Sequence, residues 1–487
     1  MKILFIYPEY SFPIKNPPVG LASIAAYLQH YGFSISITDF NVSSMTNGEL
    51  IEYVKNNDYK AIGISFMTSQ YGKARDIAET IKTALSGIPI IVGGPHISAL
   101  PKETLEELNC FDIAVYGEGE ETARELFECL EKGKALTFVK GICFRQNGRV
   151  LTNPPREMIE DLDSLPFPAW DRLDMDKYSV HSTGGNANVL TFALLSSRGC
   201  PAKCTFCDSR TIFKRKFRAR SAENIYKEIV QLHENYGMVQ FDFVDDLITT
   251  DKDRIMKLCR ILNDSPVPFR WMANARLNTL NREMLVAMKN AGCVRIDVGV
   301  ESGDPEVRKK MRKGVTNEQI TEIHKICKEI GLYTGTFLMV GNMGETWKSL
   351  EMTVSLMKDI IQDAIISISC PYPGTELYRV AKEKGFLRVT DWSQYSTAPT
   401  YVSNYKPLMV TDTMNEEEIL KAFYYLHSHF AWKKFSNRYG KFFYVNPKFW
   451  YEWVLRVGVF GGFRRKARMV IRLLFIRIEK SMKVSRL

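Results

Sequence analysis

The chain has 487 residues, of which 45% are hydrophobic and 25% are charged. At roughly 150 residues per domain, this length predicts about three domains, each long enough to bury a core. The composition excludes a disordered, collagen-like or disulfide-scaffold chain. The net charge of +10 is modest for this length, and most of the basic excess lies at the C-terminus.

The cysteines point to a reducing compartment. One tight triplet and seven single residues make up the ten cysteines, a spacing that favours a metal site over a disulfide framework. The N-terminal run has no small-residue cleavage site, and no stretch reaches the ~18 apolar residues of a membrane-spanning helix. We therefore expect a cytoplasmic protein without a signal peptide or a membrane span.

Residues 1–140 alternate short apolar runs with amphipathic stretches. Five runs rich in β-branched residues, from KILFIYP to DIAVYG, are separated by helical patterns such as GLASIAAYLQHYG. This order predicts parallel βαβ units with a sheet that is buried on both faces. We expect a doubly wound α/β domain of the flavodoxin or Rossmann-like type.

Residues 141–184 are predicted to form a hairpin and a linker. Asn147 and Gly148 supply the two positive-φ positions of a type I′ turn between apolar-rich arms. The following stretch, NPPREMIEDLDSLPFPAWDRL, is dense in proline and acidic residues and continues neither a helix nor a strand. The boundary between the two large domains is expected here.

Residues 185–395 again alternate strand and helix patterns, in about six βα units. This pattern predicts a full or partial barrel of parallel strands, with functional groups where the strands end. Residues 396–487 are predicted to be a helical, aromatic and basic C-terminal region.

The segment SSRGCPAKCTFCDSR carries the strongest chemical signal. Cys200, Cys204 and Cys207 form a C-x3-C-x2-C array directly after a predicted strand. Three thiolates on one tight loop can bind three irons of a [4Fe–4S] cluster and leave the fourth iron open. A zinc site usually takes four ligands in two separated pairs, and no second CxxC occurs in the chain.

This loop resembles the signature of the radical S-adenosylmethionine (SAM) superfamily, and Phe206 matches the family's aromatic position between the last two cysteines. In that family SAM binds the open iron through its amino and carboxylate groups, and one electron cleaves it to a 5′-deoxyadenosyl radical. The resemblance implies a [4Fe–4S] cluster on the three cysteines and SAM as a further cofactor.

The resemblance also implies SAM contacts at later strand ends. FVDD, with Asp245, follows the second barrel strand, where an oxygen acceptor takes the ammonium hydrogens of SAM. GVESGD, with Glu301 and Ser302, resembles the segment that holds the ribose and carboxylate, and Arg276 is the expected partner of the carboxylate. Helix capping by the acidic residues and a surface ion pair of Arg276 are the alternatives.

Two further segments resemble strand-end loops of the same family. These are MVGNMGETW, at residues 339–347, and PYPGTELY, at residues 371–378. The second is expected to border the substrate, with a purely structural proline-glycine turn as the alternative.

The first domain carries another group of candidate residues. The ligand crevice of a doubly wound sheet lies at the carboxyl ends of its strands, and glycines there let the backbone approach a large flat ligand. With the linker LDSLPFPAWD, these segments resemble the cobalamin-binding domain that precedes many radical SAM barrels. The residues expected at cobalamin are Pro18, Gly20, Ser65, Thr68, Gly93, Gly94, His96, Gly117, Glu118 and Gly119.

The sequence departs from other cobalamin proteins at the cobalt ligand. The Asp-x-His-x-x-Gly motif is absent, and Gly94 stands in the aspartate position before His96. Many members of the radical SAM branch also lack this motif. We therefore expect His96 to be a hydrogen-bonding loop residue rather than a cobalt ligand.

The last 26 residues, 462–487, form a basic tail. Nine basic residues are opposed by the single acid Glu479, which gives a charge of +8. Apolar residues are interleaved among them, a pattern that favours an amphipathic helix at an anionic bilayer surface. The alternative is a helix that packs on the barrel with a solvated basic face. No nucleic-acid partner is expected, because no RNA-binding module accompanies the charge.

The sequence thus predicts a cobalamin-dependent radical SAM enzyme that modifies an unactivated carbon of a small-molecule substrate. Methyl transfer from methylcobalamin to a lipid-like or tetrapyrrole substrate is the favoured reaction. The alternatives are an oxidative cyclase of the porphyrin ring-forming type, which uses the same cofactors, and a non-catalytic cluster or corrinoid carrier. The resemblance further implies a flavodoxin or ferredoxin as electron donor.

Overall fold

The computed structural model describes residues 1–10, 16–178, 191–396 and 405–439. The basic tail, predicted to bind a membrane, lies outside these residues. None of the helices described combines the length and the apolar character that crossing a bilayer requires.

A seven-stranded sheet forms the centre of the N-terminal domain. Its strands are β1 (Lys2–Tyr7), β2 (Ser34–Asp39), β3 (Ala61–Ser65), β4 (Ile90–Gly93), β5 (Ile113–Val115), β6 (Ile142–Gln146) and β7 (Arg149–Thr152). They lie in the order β2-β1-β3-β4-β5-β6-β7, and the first five are parallel. The order 2-1-3-4-5 is that of flavodoxin, so the predicted doubly wound fold is confirmed.

The predicted hairpin is present and extends this sheet. Asn147 and Gly148 have φ values of +51° and +76°, as a type I′ turn requires. Strand β6 pairs antiparallel with β5, and β7 pairs antiparallel with β6. The hairpin, which was grouped with the linker in the sequence analysis, therefore belongs structurally to the sheet of the first domain.

Helices cover both faces of the N-terminal sheet. They are α1 (Val19–His30), α2 (Asn47–Asn56), α3 (Tyr71–Ala84), α4 (Pro95–Ala99), α5 (Pro101–Glu107) and α6 (Glu120–Glu131). Successive residues of β1 alternate between two cores, with Leu4 and Ile6 in one and Ile3 and Phe5 in the other. This alternation follows from the period of two in a strand and explains the continuous apolar runs in the sequence.

The second domain is a partial barrel of six parallel strands. Its strands are β8 (Thr191–Leu194), β11 (Gln240–Phe243), β12 (Arg270–Ala275), β13 (Cys293–Glu301), β14 (Tyr333–Val340) and β15 (Asp363–Ile368), in the order β15-β14-β13-β12-β11-β8. Two short strands, β9 (Ser197–Arg198) and β10 (Arg218–Ala219), form a separate antiparallel ribbon. Strand β9 directly precedes the cysteine triplet, and β10 follows it, so that the ribbon joins the two ends of the segment that carries the cysteines.

The barrel helices are α7 (Ser209–Phe213), α8 (Ala222–Tyr236), α9 (Lys252–Asn263), α10 (Arg282–Asn290), α11 (Pro305–Lys310), α12 (Asn317–Glu329), α13 (Trp347–Met357), α14 (Glu376–Glu383) and α15 (Glu416–Tyr439). Alternate strand residues such as Phe243, Trp271 and Ile296 are buried in the core that the helices share. The residues between them, such as Asn274 and Asp297, line a cavity inside the barrel. The interior is therefore polar where the strands end.

The linker holds the two domains together by specific contacts. The backbone N–H of Ala169 donates to the Ala22 carbonyl at 3.0 Å, and the Trp170 indole donates to Glu228 at 3.1 Å. The Tyr178 hydroxyl donates to Asp39 at 2.8 Å. The linker thus ties α1 and β2 of the first domain to α8 of the barrel.

Two glycines that follow barrel helices allow a matched stability test. Gly292 follows α10 with φ +88°, and a Cβ there would lie 2.0 Å from the Phe269 carbonyl oxygen. Gly331 follows α12 with φ +68°, but a Cβ there would meet nothing within 4 Å. In both Ala variants the left-handed backbone conformation should lower the free energy of unfolding by about 1–2 kcal/mol. In Gly292→Ala the close contact with Phe269 should lower it by about 1–3 kcal/mol more. Denaturation midpoints followed by tryptophan fluorescence measure this difference, and equal shifts would contradict the close packing at Gly292.

Candidate active site

The cysteine loop, residues 199–208, is a tight connection between β9 and α7. Gly199 has φ +84°, and a Cβ on it would lie 2.3 Å from the Lys216 carbonyl oxygen. Further along, the backbone N–H of Thr205 donates to Met311 at 3.1 Å, and its carbonyl accepts from Leu377 at 3.0 Å. The loop is therefore anchored at its start by the ribbon and at its middle by the barrel mouth.

All three thiols border one cavity, called here the cysteine cavity, of about 370 Å³ at the ends of the barrel strands. The predicted site residues that line it are Cys200, Cys204, Cys207, Phe206, Asp245, Arg276 and Glu301. Ser302 is fully buried outside this lining, where its hydroxyl accepts from the backbone N–H of Asp304. The structure thus brings together seven of the eight residues predicted for the cluster and SAM.

The thiols are suited to a cluster. Burial raises the pKa of Cys207 to about 12 and also raises the pKa of Cys200, so iron has to displace their protons. Arg276 Nη1 donates to Cys204 Sγ at 3.3 Å. Among the described residues, no three His, Cys, Asp or Glu side chains converge closely enough for a single ion. A cluster does not require this, because each thiolate binds a different iron.

Asp245 fixes the chain that leads into the cysteine loop. Its buried carboxylate accepts from the backbone N–H and hydroxyl of Ser196, at 2.7 and 2.6 Å, and from the hydroxyl of Ser197. Arg254 donates to the carbonyl and hydroxyl of the same Ser196. The side chain of Asp245 therefore positions the turn between β8 and β9, and its predicted contact with the SAM ammonium group stays a prediction.

Glu301 has an unusual backbone and a buried cationic partner. It ends β13 after a register shift and adopts φ +66°, a left-handed conformation that is strained for a glutamate and is enriched at functional sites. Its carboxylate accepts from Lys313 Nζ at 2.7 Å, with both side chains at most 10% exposed. The pair lines the cysteine cavity and places both signs of charge there, and the predicted contact of Glu301 with SAM stays a prediction.

A second cavity, the side cavity, of about 260 Å³ adjoins the cysteine cavity and shares Phe206 with it. Asn342 and Met343 from MVGNMGETW line it, as do Glu376 and Leu377 from PYPGTELY. Glu345 holds the first of these loops by accepting from the backbone N–H groups of residues 341 and 342. Its complete burial raises the pKa of Glu345 to about 7. Both loops therefore border the side cavity, and the expectation that the second borders the substrate stays a prediction.

A third cavity, the interdomain cavity, lies between the N-terminal sheet and the barrel. Its walls combine apolar side chains of the sheet, such as Ile64 and Val115, with Leu195, Ile212 and Phe213 of the barrel. The predicted cobalamin residues that line it are Gly20, Ser65, Gly93, Gly94, Gly117, Glu118 and Gly119.

Glycine gives this cavity its width. A Cβ at Gly20 or Gly117 would meet no protein atom within 4 Å. At these two positions the backbone, without a side chain, borders empty space in the cavity. This shape and the apolar walls fit a large flat macrocycle such as the corrin of cobalamin.

The other three residues predicted at cobalamin lie outside this lining. His96 is 1% exposed, its Nδ1 is 3.2 Å from the Thr68 hydroxyl, and its ring stacks on Phe66. Burial lowers the pKa of His96 to about 3. Pro18 precedes α1, and its carbonyl accepts from the N–H of Ala22. Their positions support packing and capping roles instead of direct cobalamin contacts. His96 is within hydrogen-bond distance of Thr68, which belongs to the segment after the neighbouring strand β3.

Some residues at the site escaped the sequence analysis. Lys313 lies twelve positions after Glu301 with no periodic signal, so only the fold reveals their pairing. Asn274 and Asp297 look like ordinary polar residues inside apolar strands. Arg198 had a usable signal, because it stands two positions before Cys200 and complements the acidic pair Glu118 and Glu120.

Comparison with protein families supports both halves of this description. Residues 11–127 match the B12 binding domain, and residues 194–357 match the Radical SAM superfamily. "Uncharacterized methyltransferase PH0819" of Pyrococcus horikoshii is 32% identical over 86% of this chain and 90% of its own length. The chain belongs to the cobalamin-binding radical SAM family. It is a radical SAM enzyme, not a non-catalytic carrier, and its cofactors are a [4Fe–4S] cluster, SAM and cobalamin.

More distant relatives of this radical SAM enzyme include both methyltransferases and cyclases. Cytidylyl-2-hydroxyethylphosphonate methyltransferase of Streptomyces wedmorensis is 26% identical, over 79% of this chain and 82% of its own. Anaerobic magnesium-protoporphyrin IX monomethyl ester cyclase of Rubrivivax gelatinosus is also 26% identical, over 86% and 75%. The methyltransferase TsrM from Kitasatospora setae has the same fold, with a TM-score of 0.67 at 18% identity over 82% of this chain and 76% of its own.

The cluster assignment predicts a cysteine-specific loss of iron. After anaerobic reconstitution, Cys204→Ala should lack the electron paramagnetic resonance signal of a reduced [4Fe–4S] cluster and should form no 5′-deoxyadenosine, because two thiolates do not hold the cluster. The matched control is Cys129→Ala, which removes a half-buried thiol on α6 that lines none of the three cavities. Full iron content and an unchanged signal in Cys204→Ala would contradict the assignment.

Proposed function

We propose that this enzyme methylates an unactivated carbon of a small-molecule substrate. When bound, the cluster and SAM supply the 5′-deoxyadenosyl radical that abstracts hydrogen, and cobalamin supplies the methyl group. One observation carries the proposal: residues 195–213 border both the interdomain cavity and the cysteine cavity. A substrate at the barrel mouth would then lie between the two sources of chemistry.

The two cavities that share Phe206 support a specific placement of SAM. The cysteine cavity offers the Glu301–Lys313 pair and Arg276, which suit the hydroxyl, amino and carboxylate groups of the ligand. The side cavity offers Phe206, Met311 and Met343, which suit the flat face of an adenine. SAM has a polar amino-acid end and an aromatic base, which match the polar cysteine cavity and the more apolar side cavity, respectively.

Apolar side chains of the barrel line the interdomain cavity on the side that faces the cysteine loop. Ile212 and Phe213, on α7 directly after the cysteine loop, face the interdomain cavity together with Leu195. A water-excluded site protects a reactive radical from side reactions. The role we assign to these side chains is to close the space between the two domains around the reacting carbon.

We infer that the substrate is lipid-like or a tetrapyrrole with at least one polar group. In the cysteine cavity, Val244 and Phe337 provide apolar surface, and Asn274 and Asp297 provide hydrogen-bonding groups. Two relatives are named for substrates of this kind, the hopanoid C-3 methylase of Methylococcus capsulatus and the protoporphyrin ester cyclases. These observations favour a ligand with one polar end.

Oxidative ring closure is the second candidate reaction. Cyclases from several organisms share 25–29% identity with this chain. The same cofactors and the same cavities would serve that reaction. The 32% identity to a protein named as a methyltransferase favours methyl transfer.

We further infer that the enzyme works in a reducing, cytoplasmic environment with a flavodoxin or ferredoxin as its electron donor. All ten cysteines are free thiols, which agrees with such a compartment. A one-electron donor is required because SAM cleavage consumes one electron.

The basic tail, residues 462–487, is proposed to bind anionic membranes. Its charge of +8 predicts co-sedimentation with vesicles that contain phosphatidylglycerol, with a loss of binding at high salt as the charges are screened. The chain that ends at residue 461 should stay in the supernatant, and neutral vesicles serve as the control. Equal recovery of both chains in the supernatant would contradict the proposal.

Methyl transfer is tested by labelling. The reconstituted enzyme with cobalamin, a strong reductant and methyl-deuterated SAM should form both 5′-deoxyadenosine and S-adenosylhomocysteine, the latter only when cobalamin is present. Mass spectrometry quantifies both products, and deuterated methyl groups identify the substrate in extracts. Formation of 5′-deoxyadenosine without S-adenosylhomocysteine would contradict methyl transfer and favour ring closure.

A further inference from the structure

We propose that Glu118, Glu120, Arg198 and Arg218 form a positioning network that couples the two cofactor sites, so that loading one site raises the affinity of the other. The proposal rests on the cofactors of the family and does not depend on the reaction being methyl transfer. It assigns Glu118, predicted from the sequence to touch cobalamin, to a contact between domains.

The network crosses the domain boundary through three short ion pairs. Arg198 donates to Glu118 at 2.8 Å and to Glu120 at 2.5 Å, one carboxylate for each terminal nitrogen. Arg218 donates to the other oxygen of Glu118 at 2.7 Å. All four side chains are between 4% and 9% exposed. Such pairs are little screened by salt and have a defined geometry.

The network borders one cofactor site with its side chains and reaches the other through the backbone. Glu118, Glu120 and Arg198 line the interdomain cavity, and none of the four side chains lines the cysteine cavity. Glu118 lies on the loop after β5, Glu120 begins α6, and both line the interdomain cavity. Arg198 ends β9 and is separated from Cys200 by Gly199 alone, whose tight turn leaves no room for a side chain. A displacement of Arg198 would therefore be passed directly to the first cluster ligand.

The far end of the cysteine loop is tied to the same network. Arg218 pairs with Arg198 across the β9–β10 ribbon, and its guanidinium lies 5.9 Å from the ring centre of Phe213. Phe213 ends α7, which starts two residues after Cys207, and it lines the interdomain cavity. Both ends of the loop thus contact the wall that would face the corrin.

The buried ion pairs of this network indicate that the two domains have to meet in one defined orientation. Two domains can adhere through apolar contacts at lower desolvation cost than through buried ion pairs. In this network burial opposes the ionised form of Glu118, but the hydrogen bonds and charges of Arg218 and Arg198 outweigh it and lower the pKa of Glu118. The carboxylate therefore stays charged and keeps both arginines in one orientation.

Coupling between two sites is reciprocal and is commonly 5- to 150-fold in affinity. We therefore expect hydroxocobalamin to bind about tenfold more tightly to the cluster-loaded enzyme than to the cluster-free enzyme. Anaerobic titration with hydroxocobalamin, followed by quenching of tryptophan fluorescence, measures both dissociation constants. Product formation is not needed, so failure of this test and failure of the proposed reaction are distinguishable.

The decisive variant is Glu118→Gln, which keeps the side-chain shape and removes the shared charge. We expect it to retain its iron content and to reduce the tenfold difference in affinity to about twofold or less. Glu128→Gln is the control, because Glu128 lies on the same α6 helix but pairs only with Arg124 of that helix among the described residues. It should keep the full difference. If Glu118→Gln does not fold, Glu120→Gln removes a single ion pair and should show the same trend.

Three results would overturn the proposal. The wild-type enzyme could bind hydroxocobalamin equally well with and without the cluster. The Glu118→Gln and Glu120→Gln variants could both keep the full tenfold difference. Finally, Glu118→Gln could weaken both affinities by the same factor, which would indicate a direct contact or a merely structural role.

Discussion

The site depends on one constraint, the double anchoring of the chain between β8 and the end of α7. This segment lies between two domains and must present thiols to one cavity and apolar side chains to the other. The buried carboxylate of Asp245 fixes its start through Ser196 and Ser197. Its remaining freedom is removed by ion pairs from the N-terminal domain and by backbone hydrogen bonds from the barrel mouth. The relative position of the cofactor sites follows from these contacts.

The same constraint explains why buried charge is tolerated at this place. Arg198 and Arg254 are both buried. Arg254 holds Ser196 in the turn into the cysteine loop, and Arg198 joins that turn to Glu118 of the N-terminal domain. An apolar contact would allow the domains to slide, whereas a guanidinium shared between two carboxylates allows one orientation. The domain interface is therefore specific at the loop and apolar around it, where Leu195 and Phe213 meet the sheet.

Much of the fold was predictable because the hydrophobic periodicity of the segments and the turn residues between them indicate the same elements. The five β-branched runs of the first domain and the Asn147-Gly148 turn each have one physical interpretation, and the structure has the elements that they indicate. The cysteine triplet was predictable for a similar reason, since its three residues are neighbours in sequence. Spacing alone carries that information.

Pairs that form only on folding were not predictable. The distance of twelve residues between Glu301 and Lys313 gives no local signal, and the left-handed backbone of Glu301 is unexpected for a glutamate in an apolar strand. Thr68 and His96 were expected near cobalamin because both follow strands of the N-terminal sheet, but neither lines the interdomain cavity. Only the fold shows that His96 turns toward Phe66 and away from the cavity.

Residues 195–213 border both cofactor cavities, so a bound cluster and the cobalt of bound cobalamin would lie on either side of one segment. The electron spin relaxation time of cobalt(II) cobalamin reports on this arrangement, because a nearby paramagnetic cluster shortens it in a distance-dependent way. We expect faster relaxation when the cluster is reduced than when it is oxidised and diamagnetic. Identical relaxation in the two states would contradict a shared wall between the two sites.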